Sequence, residues 1–289
     1  MDWVNTIVQG ALLGGLYALF AAGLSLMFGV MRLVNIAHGD LIVLAAYLAL
    51  VVVQSLGLDP FASLLVVVPA MFALGYGLQR GLLNFTLGSD ILPPLLVTFG
   101  LSIIIQNGLL EIFSADSRRL QIGALETASL QLGPQLAIGW FPLVVFVTAV
   151  VIIALMEAML YRTGLGRAFR AVSDDAETAR LFGVSNRHVF ALATAVALAV
   201  VSVAGVMLAM RTNFDPSIGP ARLLYAFEAV IIGGLGSLWG TLAGGVILGV
   251  AQSIGAKLDP GWEILAGHVA FLVVLMLRPR GLFPRLVEE

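Results

Sequence analysis

Residues 15–53 read GLYALFAAGLSLMFGVMRLVNIAHGDLIVLAAYLALVVV, two apolar runs that close around a short polar insert, NIAHGD (35–40). About 20 apolar residues, at a rise of roughly 1.5 Å each, cross a hydrocarbon layer about 30 Å thick. Each run is close to that length, so the stretch reads as two membrane spans joined by a tight polar connection. Asn35, His38 and Asp40 raise four readings: a proton relay, a substrate contact, a metal site, or a turn at the membrane surface.

The same ruler places spans near 7–31, 41–57, 61–80, 92–112, 140–160, 189–210, 222–235, 237–256 and 262–277. The predicted fold is therefore all-α, a polytopic integral membrane helical bundle of about nine spans, with eight or ten as the bounds. The uncertain region is 222–256, where GGLGSLWG (233–240) breaks one apolar stretch into two shorter helices. Asp59-Pro60, Asp90 with Pro93-Pro94, and Asp259-Pro260 are cap-then-proline helix openings. Composition agrees: 60% of the residues are apolar and 11% charged, against about 25% charged in a soluble domain. Mean hydropathy is +1.03. A net charge of −2 without a basic tract gives nucleic acid nothing to bind. The absence of cysteine excludes disulfides, thiolate metal sites and cysteine nucleophiles. The opening residues, MDWVNTIVQG, lack the pattern of a cleavable signal peptide, so the first span is expected to be retained.

Arginine placement predicts orientation. The loop 161–188 holds five of the 15 basic residues, and Arg278, Arg280 and Arg285 follow the last span. Both segments are expected inside, which gives an N-out, C-in chain with Arg118 and Arg119 outside. NIAHGD then falls at the inner end of the first span, where a midplane proton relay has no geometric basis and a lone His38 has no metal-ligand partners. It either caps the second helix and frames the inner mouth, or contacts substrate there. Leu78–Gly88 and Met156–Gly166 echo one another at a spacing of 78 residues, a possible internal repeat.

Polar groups inside a membrane are costly and face protein or water. Thr98, Ser102 and Gln106 share one helix face at i, i+4 and i+8, with Asn107 beside it. They suit a zwitterionic ligand, or hold helices together by hydrogen bonds. Gly233, Gly234 and Gly236 form the break at 233–240, and freed backbone groups there need protein or a water-filled cavity. Gly236, Gly240 and Gly244 share a face suited to close helix packing. Glu228 is the one deep acid in this reading, facing a substrate ammonium or an ion-pair partner such as Arg222 or Arg211. His188 and His268 read as incidental, no metal site is supported, and no nucleophile–base pair stands out.

Within the inner loop, SDDAETARLF reads as a short helix capped by Ser173 or Asp174, with acids in its first turn. Asp174, Asp175, Glu177, Thr178, Ala179 and Gly183 are its candidate coupling residues. Glu177-Thr178-Ala179 with Gly183 resembles the EAA-type coupling loop of ABC importer permeases, with Thr178 at the middle alanine. VNIAHGDLIVLAAY (34–47), LLVTFGLSIIIQNGLLEIF (95–113), FEAVIIGGLGSLWGTLAGGVILG (227–249) and LRPRGLF (277–283) extend the likeness over nearly the whole chain. Together they are similar to the smaller permease of the high-affinity branched-chain amino acid ABC importers.

That resemblance implies one transmembrane domain, residues 1–289, forming half of a translocation pathway in a bacterial inner membrane. It implies as partners two cytosolic ATPases, a second homologous permease and a periplasmic substrate-binding protein, with an amino acid as cargo. The chain has no G-x-x-x-x-G-K-[ST] and Lys257 is its sole lysine, so ATP is expected to be used by the partners and no cofactor to be bound here. A secondary transporter carrying its own coupling acids, and an intramembrane enzyme, are the competing classes.

Overall fold

The apolar runs become helices because the membrane leaves backbone amides no other partner than their own carbonyls. The computed structural model describes residues 2–88, 92–133 and 136–283. Its helices are α1 (Asp2–Met31), α2 (His38–Leu56), α3 (Leu64–Gly81), α4 (Leu92–Phe113), α5 (Trp140–Arg162), α6 (Gly164–Asp174), α7 (Ala176–Leu181), α8 (Asn186–Arg211), α9 (Gly219–Gly233), α10 (Leu238–Leu258) and α11 (Glu263–Leu277). Between α4 and α5, β1 (Ser129–Gly133) and β2 (Leu136–Gly139) pair antiparallel. This hairpin is a small addition to the expected all-α bundle.

Among the described residues, eight helical segments are long and apolar enough to cross a membrane. The chain is a polytopic helical membrane protein. The ninth expected span, 222–235, is α9, whose 15 residues cover only about 22 Å at 1.5 Å per residue. Gly234 (φ 106°) and Gly236 (φ 79°) stop it at one end, and it starts soon after the turn at Asp215, at Gly219 rather than at 222. Asp59 and Asp259 cap their turns as expected, accepting from the Phe61 and Gly261 amides at 2.9 and 2.7 Å. Asp90 and Arg285 lie outside the described residues.

Burial sorts the helices into two shells. α1 and α8 are central, with 83% and 72% of their most apolar windows buried, whereas α4 and α11 are peripheral at 17% and 6%. Gly10 and Gly14 of α1 lie against Gly249 and Gly245 of α10, so these two helices run antiparallel with their backbones touching. α3 runs antiparallel to α8 in the same manner: Gly75 meets Thr194 and Ala195, and Asn84 Nδ2 donates to Arg187 O at 3.1 Å.

These contacts expose an internal repeat that relates α1–α4 to α8–α11. The two central helices pack on each other, α1 on α10 corresponds to α8 on α3, and α2 on α8 corresponds to α9 on α1. The outer pairs α2–α4 and α9–α11 also correspond. The turns that follow the central helices match in detail. Asn35 Oδ1 accepts from the Ala37 amide at 3.0 Å, and Asp215 Oδ1 from the Ser217 amide at 2.8 Å. Gly39 and Gly219 each come four residues after the turn's acceptor. The echo expected at a spacing of 78 is a different matter. It pairs the end of α3 with the end of α5, and α5 lies between the two halves, so that expectation is corrected.

Candidate functional site

After Met31 the chain turns back into the bundle. Arg32 takes φ 52°, residues 32–37 run without helix, and α2 begins at His38. His38 Nε2 lies 2.7 Å from Phe20 O, eleven residues before the end of α1, or about 16 Å along the helix. Asn35, His38 and Asp40 are all at most 1% exposed. The expectation that NIAHGD sits at the inner mouth is therefore corrected: it is buried beside the middle of α1. The capping role is also narrower than expected. Asn35 closes the turn onto the Ala37 amide, His38 and Asp40 lie within the first turn of α2, and Ala37 at its N-cap has no side-chain bond.

α4 supplies the other side of this cluster, and three of its four predicted residues enter it. The Ile36 amide donates to Thr98 Oγ1 at 3.2 Å, and the Thr98 hydroxyl donates back to Pro94 O at 2.9 Å. Ser102 donates to Asp40 Oδ2 at 2.6 Å, and Gln106 Nε2 donates to Ser102 Oγ at 3.1 Å. Asn107 stands apart on the exposed side, bonded only along its own helix to Ile103 O at 2.8 Å. Among the described residues, Asp40 Oδ1 has no hydrogen-bond partner, nor does Asn35 Nδ2. Asp40 is a second deep acid beside Glu228, one the span-by-span reading placed at the surface.

α9 begins where α2 begins. A Cβ on Gly39 would strike Gly219 O, and a Cβ on Gly219 would strike Asp40 Oδ1. Two helix N-termini thus abut across a pair of glycines, with the unpaired carboxylate oxygen between them. Further along α9, Glu228 (2% exposed) is bonded to His268 Nδ1 of α11. Neither Arg222 nor Arg211 is its partner, and His268 is not incidental. Glu228 Oε2 is left without a hydrogen bond. A crevice of about 320 Å³ near this end of α9 is lined by Tyr17, Arg211, Arg222, Tyr225 and Glu263 among others.

The break at Gly233, Gly234 and Gly236 has its freed carbonyls taken. The Leu282 amide donates to Ile232 O and the Phe283 amide to Gly233 O, both at 2.9 Å. The LRPRGLF tail therefore seals the C-terminal end of α9. Gly240 and Gly244 pack against Gly233 and Ala229 as the packing reading expects, whereas Gly236 lies in the turn before α10.

At the Met31 end of the bundle, α6 and α7 form two short helices where one was expected. Ser173 does not cap: its hydroxyl donates to Gly29 O of α1 at 2.6 Å. Asp174 ends α6, and Asp175 is the N-cap of α7, accepting from the Glu177 and Thr178 amides at 3.0 Å each and from the Thr178 hydroxyl. These bonds hold the Asp175 carboxyl below its usual range, the Thr178 hydroxyl contributing most. Gly183, at φ 86°, ends the helix. The Val184 amide bonds to Ala179 O and the Gly183 amide to Arg180 O, both at 3.1 Å, the two bonds of a Schellman closure. Ala179 is buried, and Glu177 and Thr178 are exposed. Leu181 and Phe182 are 86% and 84% exposed. His188 bonds to the Tyr76 hydroxyl at 2.9 Å. Among the described residues no three His, Cys, Asp or Glu side chains are grouped to hold a metal.

A bundle built on two related halves, with broken helices meeting inside it and a capped helix projecting from one end, defines a membrane permease. The chain belongs to the family described as branched-chain amino acid transport system / permease component, whose profile matches residues 6–277. It is 29% identical to the high-affinity branched-chain amino acid transport system permease protein BraD of Pseudomonas aeruginosa, covering 98% of this chain and 96% of that protein. It is 27% identical to the permease protein LivH of the same kind of system in Escherichia coli, with the same coverage. The E. coli permease protein LivM is 26% identical over 96% of this chain and 70% of its own length.

Proposed function

We propose that this chain is the membrane-spanning permease subunit of an ATP-driven importer, forming half of the pathway for a branched-chain or related amino acid. The family match across residues 6–277 carries the reading. Catalysis is assigned to partners: two cytosolic ATPases hydrolyse ATP, and this chain binds no cofactor. A second permease completes the pathway, consistent with this chain's likeness to two E. coli permease proteins, LivH and LivM, and a binding protein delivers the amino acid. The chain acts as one transmembrane domain of the bacterial inner membrane, N-terminus outside, with α6 and α7 in the cytoplasm.

α7 is the element that transmits ATPase motion. Asp175 and Gly183 fix its two ends, so its exposed face, Glu177, Thr178, Leu181 and Phe182, moves as a unit. Ser173 ties the preceding helix to α1, which connects that motion to the centre of the bundle. Thr98, Ser102, Gln106 and Asp40 are the polar lining of the pathway in this reading, and Glu228 with Gly233, Gly234 and Gly236 belongs to the half-helix α9 that borders it. Asn35 and His38 fix the turn that carries Asp40.

Glu177→Arg and Gly183→Trp test the assignment. Each is expected to abolish ATP-coupled uptake or ATPase co-purification while the purified subunit keeps its thermal unfolding profile. Normal uptake by the doubly substituted subunit in the full complex would remove α7 from the coupling path.

A further inference from the structure

The observation that calls for a ligand is the buried carboxylate of Asp40. It is 1% exposed, its Oδ2 is held by Ser102, and its Oδ1 has no partner. The side chains bonded along this track, Ser102 and Gln106, are both neutral, and among the described residues none forms an ion pair with Asp40. A buried carboxylate that lacks a cation is expensive, and an unfilled acceptor adds to that cost.

The surroundings of the unpaired oxygen are equally specific. It faces Gly219, the first residue of α9, and a helix N-terminus carries positive partial charge. Because Pro220 has no amide and the Arg222 amide is bonded to Ile218 O at 3.2 Å, Gly219 and Ala221 are the amides of this turn that a ligand would meet. A carboxylate and a helix N-terminus side by side complement a zwitterion: the carboxylate answers an ammonium, the amides a carboxylate. Half-helix termini meeting at the interface of two repeats bind substrate in other transporters. α4 is the helix whose displacement would open this site. That helix packs substantially on α2 alone, and Ser102 and Gln106 lead from Asp40 to its half-exposed face.

We propose that the junction of α2 and α9 is a binding station for the amino-acid backbone, with Asp40 taking the substrate ammonium and the α9 N-terminus taking its carboxylate. A shift of α4 away from α2 exposes the station, and the Ser102 hydroxyl yields Asp40 Oδ2 to the ammonium as the substrate arrives. The inference rests on the proposed function for its substrate class. It adds the residue and the orientation in which the substrate is held.

Two readouts test it in the complete importer reconstituted in liposomes. Asp40→Asn keeps the side-chain volume and removes the charge. It is expected to lower L-leucine uptake by about tenfold or more, with the ATPases still co-purifying. Ser102→Cys places a single thiol beside Asp40 in a chain that has no cysteine. L-leucine is expected to slow its alkylation, 4-methylpentanoate, which lacks the amine, is not, and adding Asp40→Asn should abolish the protection.

Wild-type uptake by Asp40→Asn, protection that survives that substitution, or no protection in a complex that imports leucine would each overturn the assignment. If the unaltered complex imports no amino acid, the proposed function fails instead. Alkylation with 3-methylbutylamine as protector then decides the station by itself: protection dependent on Asp40 supports it, and none overturns it.

Discussion

Single residues carry their roles here through what they leave unpaired. Glu228 and His268 each look isolated in an apolar run, and they are 40 positions apart on different helices. The signal that would have joined them is their complementarity, since an ionisable group inside a membrane needs a partner. His268→Leu should strip one Glu228 oxygen of its hydrogen bond and lower the thermal stability of the purified subunit by about 1–3 kcal/mol. Adding Glu228→Leu should recover part of that loss, and a double variant no more stable than the single would contradict the pairing. Asp175 gives a prediction in pH. Its carboxyl is held below the unfolded value, so its contribution to α7 is complete above the ordinary carboxylate range, about pH 4. It is lost as pH falls through the lowered folded value. Hydrogen exchange at the Glu177 and Thr178 amides should therefore be insensitive to Asp175 protonation at neutral pH. Asp175→Ala should accelerate it, and Asp175→Asn should do so less. Gly183 was legible from the sequence as part of a motif, and its geometry adds the cause: a Schellman closure at positive φ.

Elements were legible in proportion to how far local length and polarity decide them. The long apolar runs fall where expected because a membrane admits few alternatives to a helix of that length. Depth was not legible. Counting spans assumes that each begins where the last one ends, so NIAHGD was placed at the surface. Residues 32–37 instead return the chain beside Phe20, and no composition or period reports that reversal. The bounds of α9 differ from 222–235 for a related reason: apolarity does not report its ends, which the turn at Asp215 and the Gly234–Gly236 break set at Gly219 and Gly233. The two halves do leave one mark in the sequence. Asn35 with Gly39, and Asp215 with Gly219, each follow a long apolar run closed by a Met-Arg pair, 31–32 and 210–211, and they mark the two halves. The contact between those glycines gives a test at this scale. Gly39→Ala or Gly219→Ala drives a methyl into backbone or into Asp40, and should cost about 1–3 kcal/mol of thermal stability. Gly77→Ala on α3, where a Cβ meets nothing within 4 Å, should not destabilise.

The whole molecule divides labour between a stable centre and loosely held parts. α1 and α8 pack on each other and on the helices of the opposite half, whereas α4 and α11 are held mainly by α2 and by the α9–α10 pair. Motion delivered at α7 can pass through Ser173 to the end of α1. The α2–α9 junction, which joins the halves, is where such motion would change access to Asp40. The central claim is that this work is driven by ATP through partner subunits. Its most direct test is uptake of radiolabelled L-leucine into liposomes holding this chain, with and without its second permease and ATPases, binding protein supplied outside and ATP inside. The account predicts uptake only when the full complex and ATP are present, and none by the chain alone under a sodium or proton gradient. Gradient-driven uptake by the chain alone, or uptake by the full complex that is indifferent to ATP, would contradict it.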